Sequence, residues 1–377
     1  MFKKSDPLRG LLSIVLSLLL VALVGRFMVI GKSLLLPIVI AIISVYVLLA
    51  ASDALGRFPL TCHLRERWRR LLVLALFLIA VIWLGGVMVS TANQVGSHIA
   101  EYEANLSRLY DELIWILGIS TKPDLAQLLD GLRQALPLNE IAGMVLGSIS
   151  SAAGLMFMVV VYAAFLISER GGFAHKIAVA LPGERAERAG EIISNINNSI
   201  SDYIAVKTLV NVILGVLSFV VMSAFGVDFA LFWAILIALL NYIPYVGSLL
   251  GVVFPVLLSM AQFGSVERTI AIAVLLTLAQ MWVGNSLEPR MVGRKVNMSP
   301  FIVLVALALW STIWGVSGAI LAIPLTSIIA IIMGSFESTR PFAVLLAQDV
   351  KPFESVSASR NHAAPHPPEP MEEASDQ

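Results

Sequence analysis

Charge is scarce in this 377-residue chain: Asp, Glu, Lys and Arg make up 13% of it, about half the share usual in soluble globular proteins. The shortage is concentrated. Charge-free windows cover residues 11–25, 33–52, 71–97, 141–168, 208–227, 229–266, 269–287 and 296–336. A soluble fold interleaves charge with apolar positions along its surface helices, so a soluble enzyme is excluded. About 20 apolar residues cross a hydrocarbon core of roughly 30 Å. The chain therefore reads as all-α, a polytopic helical membrane protein with lipid as its solvent.

Other absences narrow the chemistry. The single cysteine, Cys62, excludes an internal disulfide, and no clustered ligands stand near it to hold a metal. With 25 basic and 25 acidic residues there is no net charge to draw nucleic acid. HExxH, paired CxxC and GxSxG are missing. Gly31-Lys32-Ser33 ends like a phosphate-binding loop, but the first glycine of that motif would fall on Arg26. No ATPase engine, metal or cofactor is expected, and no enzymatic activity. The first window lacks an A-x-A cleavage site and is followed by further spans, so it reads as a retained helix.

Arginine and lysine mark the cytoplasmic side of short loops. Between 53 and 70 stand Arg57, Arg65, Arg67, Arg69 and Arg70 against Asp53 and Glu66, so this loop and the N-terminus are expected inside. Residues 98–140 carry seven acidic and three basic side chains and belong outside. There Leu106, Leu109, Leu113 and Leu117 recur at helical spacing and predict a small external helical subdomain. In the fourth window Gly143, Gly147, Ser151 and Gly154 form a small-residue packing stripe. Ile192, Ile193, Ile196, Ile200 and Ile204 predict an amphipathic cytoplasmic helix before the fifth span. Beyond 349, prolines and acidic residues have the composition of a disordered cytoplasmic tail. His362 and His366 lie among those prolines and share no stable helix face. The expected units are 1–97, 98–140, 141–206, a transport core at 207–348, and the tail 349–377.

Two windows are too long. At 1.5 Å per residue, continuous helices over 229–266 or 296–336 would extend roughly 60 Å, twice the hydrocarbon core. Each must break, and each holds a breaker: NYIPYVG around Pro244, and GAILAIP ending at Pro324. The chain thus contains about six full transmembrane helices and two broken hairpins, re-entrant or fully spanning. Span plus hairpin occurs twice with opposite orientation, the inverted-repeat arrangement found in secondary transporters. Followed through, it leaves the first hairpin opening outside, the second opening inside, and both termini cytoplasmic.

The breaks carry uncharged hydrogen-bonding groups. Asn241, Tyr242, Tyr245 and Ser248 line the first, with Pro244 and Gly247 shaping it; Asn211, Gln280, Asn285 and Ser286 stand on flanking spans. Such groups suit a small polar solute, although Asn241 is equally placed to cap a helix end. Charges gather at the window edges: Lys207, Asp228, Glu288, Arg290 and Arg294. In GNSLEPRMVGRK, Pro289 is expected to end a helix and leave Glu288 and Arg290 in an interfacial turn. They would pair there with each other or with the hairpin tip, as a gate or as a fixed turn.

The motifs GVDFALFWAILIALLNYIPYVGS, GNSLEPRMVGRK and WGVSGAILAIPLTSI, in that order, resemble the AI-2E family of bacterial transporters. The resemblance implies an inner-membrane secondary transporter in a homo-oligomer, a pentamer being one form. It also implies export of a small polar signal such as autoinducer-2, or sodium/proton antiport. Ser248 stands where many members have proline. Antiport would use H+ or Na+ with Asp202, Asp228 or Glu288; a passive channel or scaffold is the remaining alternative.

Overall fold

The computed structural model describes residues 7–57, 63, 65–117, 154–169, 176, 179–181, 183–292 and 297–350, and among these every regular element is a helix. Helices α1 (Pro7–Ile30) and α2 (Lys32–Arg57) are separated by Gly31 alone. Leu16, Leu19, Val21 and Phe27 of α1 are more than half exposed, as suits a helix solvated by lipid. Helix α3 (Glu66–Leu117) returns antiparallel to α2, Gly56 backing onto Arg69. The described stretch Gly154–Glu169 forms α4, whose Val159 and Ala163 pack on Ala41, Val45 and Leu49 of α2.

The remaining elements are α5 (Gly183–Phe225), α6 (Ala230–Leu240), α7 (Val246–Phe263) and α8 (Val266–Trp282), then a π-helical turn at Val283–Leu287 leading into α9 (Glu288–Val292). Helices α10 (Pro300–Trp314), α11 (Val316–Ser335) and α12 (Arg340–Leu346) follow. Six of the described helices are long and apolar enough to cross a membrane. The chain is an all-α polytopic membrane protein.

Both overlong windows break. In the first, α6 and α7 meet at Asn241–Tyr245, and the 11 residues of α6 give it a rise of about 16 Å. That is half a hydrocarbon core, too short for the first arm to cross by itself. Tyr245 adopts φ 62°, ψ −53°, and Val246 N donates to Pro244 O at 2.6 Å. This is a γ-turn of the rare left-handed kind, strained for a residue with a Cβ. It is tight because Gly247 has no side chain: a Cβ there would lie 1.7 Å from Leu240 O.

The second window breaks at a different place from the one expected. Pro324 lies buried inside an unbroken α11; the chain reverses at Gly315, with φ 66° and ψ −143°. Only glycine adopts that conformation readily. A proline removes one helical hydrogen bond without reversing the chain, and neighbouring helices in a membrane tolerate it. Gly318 plays the part of Gly247, since a Cβ there would lie 1.9 Å from Trp310 O.

Two expected pairs of segments are single rods. The third span and the leucine-spaced helix after it are both α3, 52 residues with no break at 97/98. The isoleucine-rich helix and the fifth span are both α5, 43 residues with no break at 206/207. Pro289 does not end a helix either. It sits in the first turn of α9, directly after a π turn in which Glu288 N donates to Val283 O. Widening the helix there accommodates the donor and space that proline removes.

Cores form where these rods cross. Val210, Leu214 and Met222 of α5 pack with Ile237 of α6 and Ile272 and Leu276 of α8. Trp310 and Trp314 of α10 fill the space between Leu36 of α2 and Leu321 of α11. Each indole N–H is satisfied, by Thr326 Oγ1 and Met28 O, both at 3.0 Å. The second bond places the Gly315 turn beside the junction of α1 and α2. Cys62, the stripe residues Gly143, Gly147 and Ser151, Arg294, His362 and His366 lie outside the described residues, as do residues 118–153 and 351–377.

Candidate functional site

The tip of the first hairpin meets α5 and α8 through a buried chain of three amides. Gln280 Nε2 donates to Asn241 Oδ1 at 2.9 Å, and Asn241 Nδ2 donates to Asn211 Oδ1 at 2.8 Å. Asn211 is 2% and Asn241 8% exposed. Asn211 Nδ2 makes no well-formed hydrogen bond among the described residues, and the acceptor within its reach is the Tyr242 hydroxyl. A buried amide nitrogen left poorly paired is costly, so this donor is open to a better acceptor. Beside it, the Thr208 and Tyr242 hydroxyls lie 2.7 Å apart.

One helical turn before Asn211, Lys207 reaches Glu288. Nζ–Oε1 is 2.6 Å, with the lysine side chain 6% and the glutamate side chain 29% exposed. The site is therefore not uniformly neutral, as the charge-free windows suggested. Glu288 pairs across to α5 rather than with Arg290, which is exposed and forms no ion pair among the described residues. The π turn directly precedes Glu288. Tyr203, buried one turn before Lys207, completes a stripe on α5: Tyr203, Lys207, Asn211.

Other candidates fall elsewhere. Tyr245 is 57% exposed at the strained turn. Ser248 Oγ donates to Tyr245 O at 2.8 Å, closing the turn locally. Asn285 is exposed on the π turn, and Ser286 and Pro244 are half-buried without joining the amide chain. Asp202 is exposed and partnered.

Asp228 lies at the opposite end of α5, where it accepts from Tyr102 Oη at 2.8 Å. Burial, and after it the Asp228 carboxylate, raise the Tyr102 phenol far above its ordinary pKa, so it remains a donor. Sequence reasoning missed Tyr102, Asn105, Thr208, Gln262 and Tyr203. The i, i+4, i+8 spacing of Tyr203, Lys207 and Asn211 was a readable signal; the pairing of α3 with the hairpin was not.

A buried polar site held at the tip of a broken hairpin, with an ion pair beside it, fits the architecture of a membrane transport protein. The chain belongs to the AI-2E transporter family: residues 12–338 match the family model described as AI-2E family transporter. A Borreliella burgdorferi protein named for transport is 36% identical over 48% of this chain and 51% of its own length. The Escherichia coli K12 protein YhhT, also named for transport, is 29% identical over 73% of this chain and 78% of its own. The AI-2 transport protein TqsA of Escherichia coli K12 is 28% identical over 77% and 85%. The match thus spans about half of the first relative and more than three quarters of the other two.

Proposed function

We propose that this protein is a secondary transporter that exports a small polar solute across a bacterial inner membrane, with autoinducer-2 as the first candidate. One observation carries the reading: Asn211 Nδ2, a buried donor without a well-formed hydrogen bond, stands at the end of an amide chain pinned by the tip of the broken hairpin. Three neutral amides and two hydroxyls suit oxygen atoms of an uncharged solute better than a bare cation, which favours carboxylates. The likeness to a protein named for AI-2 transport supports the choice of first candidate. With the basic segment 53–70 taken as cytoplasmic, the Lys207–Glu288 pair would close the site on that side.

That same pair favours a second reading, exchange of a monovalent cation against protons at Glu288. Purified protein in liposomes, loaded with candidate solutes under imposed pH and sodium gradients, separates the two. Export by this site gives saturable solute flux that falls roughly tenfold in Asn211→Leu and in Asn241→Leu, each of which removes a hydrogen bond and leaves a partner unsatisfied. Sodium-dependent proton flux abolished by Glu288→Gln, with no solute flux, would replace the first reading by the second. A leak that does not saturate would defeat both.

A further inference from the structure

We infer that the part of α3 beyond the bilayer is a releasable latch on the first hairpin, with Tyr102 and Asn105 as the positioning residues that hold the transport site closed at its Asp228 end. The inference rests on the transport reading above and adds the second of the two closures that a carrier needs. The membrane-length stretch of α3 ends at Thr91. The helix nevertheless continues to Leu117, and its contacts with the hairpin change character along its length.

Within the bilayer, Leu84, Val87 and Met88 of α3 face Phe232, Leu236 and Leu239 of α6 across a small, wholly apolar cleft. Nothing there fixes one element to the other. Beyond it the contacts are polar and specific. Tyr102 Oη donates to Asp228 Oδ2 at 2.8 Å, and Asn105 Nδ2 donates to Gln262 O at 2.6 Å. The His98 ring stacks on Tyr102 and meets Phe229 edge-on, each at 5.9 Å between centroids.

Gln262 joins the two roots of the hairpin. Its Oε1 accepts from Asp228 N at 2.8 Å, and its Nε2 donates to Gly226 O at 2.9 Å. The arm therefore grips both roots through one cluster. Those roots bend at residues of positive φ, Gly226 at 72°, Phe229 at 56° and Gly264 at 53°, which concentrates the bending between straight helices. The bonds of the cluster are few and made largely by side chains; Tyr102 is buried, but Asn105, Asp228 and Gln262 keep partial access to water, which can replace their partners when the hairpin swings. The buried amide chain at the tip has no such substitute. The roots are thus the end of the hairpin built to let go.

The test uses the protein's single cysteine. In a Cys62→Ser background, Asn105→Cys and Gln262→Cys are joined by a short bis-methanethiosulfonate cross-linker in liposome-reconstituted protein. Cross-linking is expected to lower saturable solute flux at least tenfold, and reduction to restore it. Tyr102→Phe, Asp228→Ala and their combination should all change the maximal rate by the same factor and leave KM unaltered, because they remove one contact that never touches the solute. Full flux through cross-linked protein, or additive effects of the two substitutions, overturns the latch and leaves the transport reading standing. Absence of flux before cross-linking overturns the transport reading and the latch with it.

Discussion

At the scale of single residues, the Lys207–Glu288 pair is the most exposed to test. Removing one partner of a buried ion pair strands the other charge in a poorly solvating environment, at about 3 kcal/mol or more when both are fully buried. Glu288 keeps some access to solvent, so the lower end of that range applies. Lys207→Gln and Glu288→Gln are each expected to lower the unfolding temperature of detergent-purified protein, and the double substitution to recover most of the loss. Additive losses would mean that the pair contributes nothing jointly. Tyr245 is the converse case, a residue held in a left-handed γ-turn. Tyr245→Gly should raise stability by about 1 kcal/mol in chemical unfolding. An unchanged midpoint would show that the turn bears no strain. Of the candidate site, Asn241, Tyr242, Gln280, Lys207 and Glu288 were legible, because polar groups at the edges or breaks of apolar windows have few places to go. Tyr245 and Ser248 were read as lining the site, since alternate turn residues cannot be assigned a direction without the turn's dihedral angles.

At the scale of elements, the hairpins were legible from length alone, because an apolar run twice the bilayer thickness must fold back. Where each one folds was only half legible. Pro244 lies in its turn, whereas Pro324 is absorbed into α11 and Gly315 makes the reversal. Proline announces a lost hydrogen bond, but a hairpin also needs positive φ and backbones close enough to touch, and glycine provides both. Gly247→Ala and Gly318→Ala each drive a methyl into a carbonyl oxygen, at 1.7 and 1.9 Å. Both variants are expected to fail to accumulate as monodisperse protein on size-exclusion chromatography. Gly284→Ala, with nothing within 4 Å of the added carbon, should behave as the parent. Equal behaviour of all three would mean that the tight turns are dispensable. The continuity of α3 and α5 was hidden for the opposite reason. Charged residues mark where the hydrocarbon ends, and nothing in hydropathy says that a helix must end with it.

At the scale of the whole molecule, the hairpins are inserted from opposite ends of one bundle. The roots of the first hairpin lie just past the C-terminal end of α5, joined by Gln262, whereas the foot of the second, at Ser335, accepts from Arg188 near the start of α5. This opposition lets one site be closed from two sides, by Lys207–Glu288 on one and by the α3 arm on the other. Which side faces the cytoplasm depends on the arginines around the α2–α3 loop, and Cys62, falling in sequence between Arg57 and Glu66, reports on it without any substitution. An orientation with that loop inside predicts no labelling by a membrane-impermeant maleimide in intact cells and labelling in inverted vesicles. In a Cys62→Ser background, Glu101→Cys on the exposed face of the arm should show the reverse pattern. If Glu101→Cys labels only in inverted vesicles, the first hairpin opens to the cytoplasm. The two closures would then exchange sides, and the solute would meet the latch before the ion pair.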